Sequence, residues 1–284
     1  LPTEENSYLW NSYGYYINGS IKDYMWYIDE EVDGSKYRGV YFTSYRPLHC
    51  VQGSDKNYSS QKRNGYFEST AYWFKYEVVR WRVLTEIGNR AFLMCNIAID
   101  AQQYYNDYNT TTYALNRWTG PGSTNENFRS YFDDPNNNAE SHIRKWLNET
   151  FYNTAFNDLQ KAIIGMTSVD NSARSANPFN NATQWNKGKN EYACENTLDK
   201  IFLLSEYEVT NPTYGFTGSA LMSSDYAKSQ GCYREYNDSC RWWLRSPYYD
   251  GYNSARCVDC DGHSNSIEAV SYTSNGIVPA MWIT

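Results

Sequence analysis

Apolar and polar positions alternate most regularly between Tyr76 and Leu84, where Tyr76, Val78, Arg80 and Arg82 interleave with Val79, Trp81 and Val83. A period of two predicts a half-buried strand. Gly88-Asn89 then predicts a turn, and the more fully apolar run Ala91 to Ile99 a buried partner strand, so the two form a hairpin. A second hairpin is predicted upstream, where the runs Tyr24 to Ile28 and Tyr37 to Phe42 flank Asp33-Gly34. Ser54 to Gly65 is polar and reads as a loop.

Helical spacing appears in the middle of the chain. Glu140 to Asn148 places Ile143, Trp146 and Leu147 on one face. Asn157 followed by Gln160 forms a capping-box pattern that opens a short helix through Leu159, Ile163 and Ile164, with Gly165 as its stop. Asn171 to Glu191 is Asn-rich and irregular. Ile201 to Leu204 suits a buried strand, and Ser224 to Gly231 a capped helical turn. Strands at both ends, helices between them and no βαβ alternation predict an α+β fold. No linker marks a boundary, so residues 1–284 read as a single domain with a strand-rich N-terminal extension, 1–72.

The last fifth of the chain departs from these periods. Two apolar blocks, Trp242 to Pro247 and Gly276 to Trp282, enclose an insert of Tyr, Asp, Asn, Ser, Gly, Cys and His. This is the pattern of a core-anchored scaffold that presents a surface.

Composition narrows the function classes. Aromatic residues make up 18%, with 29 Tyr and 10 Trp, which excludes a disordered chain. A net charge of −7 without a basic cluster argues against nucleic acid and anionic membranes as partners. No apolar run approaches bilayer-spanning length. The chain opens on Leu1, as a fragment or processed product would. Seven Cys cannot all pair within one chain. Cys50 and Cys95 read as small buried residues, while Cys194, Cys232 and Cys240 are better placed for bonding, Cys232 to Cys240 closing a short loop.

Catalytic and metal patterns are weak. His49, His142 and His263 are far apart and match no ligand motif, and His142 on a helix reads as a surface residue. Cys257-x-x-Cys260 lacks the second pair a zinc site needs and the βαβ setting of a redox motif. Glu206, Glu208 and Asp238 could meet as acid and base only if the fold paired them. The expectation is therefore no enzyme, no cofactor and no metal.

The insert Tyr248 to Thr273 instead has the palette of antibody loops: rigid Tyr anchors among small, adaptable polar residues. Every residue in it except Glu268 is reachable from an Asn codon by changing its two adenines, and Gln, Lys, Trp and Met, which are not, are absent. The blocks Trp242 to Pro247 and Gly276 to Trp282, with Ala255-Arg256 and Asp261-Gly262 between them, resemble the C-terminal variable region of proteins diversified by retroelements. Tyr72 to Glu77, Trp81 to Leu84, Ile143 to Asn148, Phe202 to Ser205 and Asp225 to Lys228 agree, so the resemblance runs from about Tyr24 to the end. Ile277-Val278-Pro279-Ala280 departs from the Val-Arg-Pro-Ala of many relatives, which removes one buried Arg contact.

That resemblance implies a C-type-lectin-like fold, related to the formylglycine-generating enzymes, with residues 240–284 as a hypervariable ligand-binding region. By position, the binding face would comprise Tyr248, Tyr249, Asp250, Tyr252, Asn253, Ser254, Cys257, Asp259 and Cys260. His263, Ser264, Asn265, Ser266, Ile267, Ser271, Tyr272 and Thr273 would complete it. Trp242, Trp243, Leu244, Pro247 and Pro279 would be scaffold, and Cys257 and Cys260 products of diversification rather than an enzyme's reactive pair. The implied function is non-enzymatic receptor or ligand binding from a virion tail or cell surface, toward a protein or glycan on another surface. A carbohydrate-binding or adhesion module, and an enzyme of the related fold, are the alternatives.

Overall fold

The computed structural model describes residues 6–12, 15–17, 20–22, 25–49, 60–105, 113–114, 117–120, 122–123, 141–176, 190, 192–215, 220–235 and 238–284. The fold is α+β: short helices lie among several small sheets, nearly all their strand pairs antiparallel.

At the N-terminal side, strands Met25–Val32 and Ser35–Phe42 pair along their whole length. Asp33 and Gly34 both take positive φ, 49° and 72°, the left-handed pair that a tight hairpin turn requires. The strand Tyr72–Lys75 adds to this sheet, and the chain then crosses to another before Trp81. The expected strand over Tyr76 to Leu84 is therefore wrong in extent: residues 76–80 bridge two sheets, and the regular strand is Trp81–Ile87. Its register also differs. A shift between Val83 and Thr85 puts one extra residue into the ladder, which buries Leu84 and leaves Val83 52% exposed. Its partner is Arg90–Cys95, ending where Asn96 and Ile97 turn outward.

The expected helix at Glu140 to Asn148 is α-helical over His142–Trp146, then π-helical over Leu147–Phe151. Ile143 and Leu147 are buried and Trp146 half-buried, so the apolar face is the expected one; Glu140 lies outside the described residues. The capping box of Asn157 and Gln160 is present, but Asp158–Ile163 buries none of its residues and Leu159 is 83% exposed. Ile201 to Leu204 are buried without forming a strand; Phe202 alone exchanges backbone bonds of 2.9 and 2.7 Å with Ala280. The loop expected over Ser54 to Gly65 contains a helical turn, Ser60–Arg63, with 54–59 outside the described residues. Within Asn171 to Glu191, Ala173–Ala176 is helical, and 177–189 and 191 also fall outside. Ser224 caps Asp225–Ser229 as expected.

The main core runs beneath the C-terminal blocks. Trp242, Trp243 and Leu244 are fully buried with Tyr104, Trp118, Phe92 and Phe202. Trp243 Nε1 donates to Gln102 O at 2.8 Å, which satisfies the one polar atom that its burial would otherwise strand. Gly276 pairs in parallel with Trp242, so both apolar blocks enter one five-stranded sheet. A Cβ on Gly276 would stand 2.6 Å from that of Ala98, which is why glycine occupies this crossing. Among the described residues, no helix is long and apolar enough to cross a membrane.

Candidate functional site

The insert folds as a meander. Trp242–Pro247 pairs with Ser254–Val258, which pairs with Ser266–Ala269 at the sheet edge. Alternation sorts its side chains between two faces. Ala255 and Cys257 turn to one face and are buried, while Ser254, Arg256 and Ile267 turn to the other, which they share with the buried Val258.

Over the outward face lie Tyr248 and Tyr249, half-buried, with ring centroids 4.8 Å apart. The Arg256 guanidinium sits 5.2 Å from the Tyr248 ring and 5.9 Å from the Tyr249 ring, and donates to Asn265 O at 2.8 Å. Arg256 thus ties the turn at 248–253 to the loop at 259–265. Behind it stands Glu206, whose carboxylate is 3.1 Å from Arg256 Nε yet accepts no hydrogen bond and is fully buried. Burial pushes the Glu206 carboxyl up to about 7, against the pull of Arg256. Arg256 and Glu206 are the residues that sequence reasoning missed as organisers of this face. The Arg lay in a stretch read as framework, and its Glu partner is 50 positions away in number.

The second loop is built on Asp259. Its Oδ1 accepts from the backbone N–H of Asp261 at 2.9 Å and of His263 at 2.8 Å, and its Oδ2 lies 3.3 Å from the Ser266 hydroxyl. Burial alone would raise this carboxyl, but the N–H donors and His263 outweigh it and hold it below the usual carboxylate range. Asp259, Asp261 and His263 carry ligand atoms within 4.8 Å of one another, a juxtaposition that no pattern of His spacing announced. With Asp259 committed to the loop's own amides, the arrangement is a loop lock first.

The expected binding face divides on burial. Tyr248, Tyr249, Asp250, Tyr252, Asn253, Ser254, Asp259, His263, Ser264, Asn265, Ser266 and Ile267 are half-buried or exposed and lie along the turn at 248–254, the loop at 259–265 and the start of the edge strand Ser266–Ala269. Cys257, Cys260, Ser271, Tyr272 and Thr273 are buried, which corrects their placement on a solvent-facing surface. Cys257 points into the sheet's inner face, where burial drives its thiol far up. Ser271, Tyr272 and Thr273 lie under the N-terminal segment. His49 Nδ1 is 3.2 Å from Ser271 Oγ, its ring packs edge-on to Tyr272, and Thr273 bonds to the carbonyls of Pro47 and Leu48.

The remaining candidates for chemistry separate. His142 is half-buried near Arg46 rather than fully on the surface, and burial with the nearby Arg46 and Lys145 charges pushes it down to about 4. Each suspect carboxylate has its own arginine: Glu206 with Arg256, Glu208 with Arg245 and Asp238 with Arg234. Cys194, Cys232, Cys240, Cys257 and Cys260 are unbonded, and Cys50 lies outside the described residues. A cleft bordered by Trp118, Asn171, Ser175 and Arg245 has room for about one water molecule, too little for an organic ligand.

No curated protein and no solved structure matches the chain. Residues 88–284, more than half of the sequence and including the whole meander, match the family described as Domain of unknown function (DUF6273), and the protein belongs to that family.

Proposed function

We propose that the protein is a non-enzymatic ligand-binding molecule on a C-type-lectin-like scaffold. Its C-terminal face is diversified by a retroelement and displayed on a virion tail or cell surface toward a protein or glycan on another surface. One observation carries this reading: the surface-reaching residues of the insert gather on the turn at 248–254, the loop at 259–265 and the edge strand Ser266–Ala269, while the meander's other outer strand, Trp242–Pro247, is buried throughout. The backbone beneath is held by buried bonds, and the side chains above contribute little to it. Exposed substitutions usually cost within roughly half a kcal/mol, so such a face can change its chemistry without unfolding. Tyr248, Tyr249 and Tyr252 supply the large, stiff contact area, with small polar residues around them.

The test is a graft. Replacing Tyr248, Tyr249, Tyr252, Asn253, His263, Asn265 and Ile267 together with another set of Tyr, Ser, Asn and Asp residues should change what is bound and leave Tm nearly unchanged. A collapse of Tm, or identical binding by both versions, counts against the reading.

The stacked pair Tyr248 and Tyr249 also favours a second reading, an adhesion module that lays aromatic rings on sugars. A glycan array decides between them: one sugar class shared by all graft variants points to the adhesion module.

A further inference from the structure

Cys232 and Cys240 lie outside the outward face. Cys232 follows the helix Asp225–Ser229, its amide bonded to Ala227 O at 2.9 Å. Cys240 ends the short strand Ser239–Cys240, just before the Trp wall. Between them the chain doubles back: Arg234 pairs with Cys240, Glu235 N donates to Ser239 O at 2.9 Å, and Arg241 N reaches Tyr233 O at 3.4 Å. That register sets Cys232 and Cys240 diagonally on the same side of a hairpin. Both are fully buried and neither is in a disulfide; the Cys232 thiol donates to Tyr233 O at 3.9 Å. A hairpin that already holds both cysteines on one side lets their sulfurs meet with a modest shift of the backbone, the condition on which disulfide formation depends.

We propose that Cys232 and Cys240 are a disulfide-forming pair: an oxidising environment closes them, during folding, into a staple between the helix Asp225–Ser229 and the wall at Trp242, and a reducing one leaves the dithiol.

The oxidant is a small-molecule disulfide such as oxidised glutathione. One protein thiol loses its proton and attacks a sulfur of the oxidant, displacing one glutathione and leaving a mixed disulfide. The second protein thiolate attacks the protein sulfur of that bond and releases the other glutathione. Two protons and two electrons pass from the protein to the oxidant, which leaves as two thiols. Timing follows from burial. In the folded chain, contact with Cys232 and then burial hold the Cys240 thiol well above its ordinary range, so it stays protonated and shielded. Exchange therefore belongs to the folding chain. Cys260, also buried and electrostatically coupled to both, is the competing partner.

The experiment refolds reduced, denatured protein in a mixture of oxidised and reduced glutathione, and in parallel in excess reductant. Free thiols are then blocked, and peptides mapped by mass spectrometry. The expected product is one linkage, Cys232 to Cys240, with a Tm about 5 °C or more above that of the reduced protein. A C232S/C240S variant should have a Tm indifferent to the redox buffer. The proposal is overturned by Cys232 and Cys240 blocked separately after oxidative refolding, or by a bond from either to Cys260, Cys50 or another cysteine. The mapping uses the unaltered chain, so a variant that fails to fold does not obscure it, and it reads nothing of ligand binding.

Discussion

Two ionisable side chains, one buried and one half-buried, pull stability in opposite directions across the same pH range. Glu206 ordinarily loses its proton near 4.5 and in the folded protein near 7, because no hydrogen bond compensates the burial of its charge. Between those values the folded state holds more protons than the unfolded one. Its contribution is therefore complete below pH 4.5 and is lost as pH rises toward 7. His142 behaves oppositely: its ordinary value of 6.5 falls to about 4, so the unfolded chain takes up the proton first. Stability is then lost as pH falls from 6.5 toward 4. Glu206→Gln should flatten the alkaline decline, by on the order of 3 kcal/mol or less over the window. His142→Asn should flatten the acid decline. Denaturant midpoints from pH 4 to pH 8 report both, and variant curves parallel to that of the unaltered protein would exclude these assignments.

In the loop at 259–265 one carboxylate, that of Asp259, satisfies two backbone N–H groups, and its removal frees both at once. Asp259→Ala should cost about 1–2 kcal/mol, as loss of a helix cap does for the same reason. Amide exchange at Asp261 and His263 should accelerate while that of Trp242 to Leu244 stays slow; equal protection in both would show that the loop has another lock. Much at this scale was legible in the sequence because it is local. Asp33-Gly34, Gly88-Asn89, Ser224 and the Asn157 capping box each act within about four residues, and each forms the element expected. What failed was set at a distance. The slip between Val83 and Thr85 reflects how Trp81–Ile87 meets its partner, and no alternation within the strand encodes it. Thr273 is buried because Pro47 and Leu48 lie across it, more than 200 positions earlier in the chain. The outward half of the meander was readable from its composition and its Trp walls, whereas Arg256 acquires a role only once Glu206 is folded behind it.

At the scale of the whole molecule, the family match begins at Gly88, inside the hairpin whose first strand is Trp81–Ile87. The preceding residues are nevertheless bound to the rest by buried polar contacts. Arg46 is the centre of that join: it donates to Ala101 O at 2.5 Å, Gln230 O at 3.1 Å and Gln103 Oε1 at 2.8 Å while 6% exposed. Gln61 completes it, accepting from Arg46 N at 2.7 Å and donating to Ser229 O at 2.8 Å. Arg46→Met keeps the apolar stem and deletes the guanidinium, leaving three acceptors without their donor. Each charge-assisted bond contributes about 1.5–3 kcal/mol, but the stem remains and neighbours relax, so the expected loss is about 2–4 kcal/mol. Limited proteolysis should then cut within 25–75 before it cuts the C-terminal sheet. General loosening could mimic that result, but Arg46 also supplies part of the charge that holds His142 down. In Arg46→Met the His142 titration, followed by its ring proton shifts in the folded protein, should therefore move up from about 4 toward 6.5. Faster proteolysis with an unmoved His142 would mean that Arg46 holds the N-terminal sheet by packing alone, not by the charged join described here.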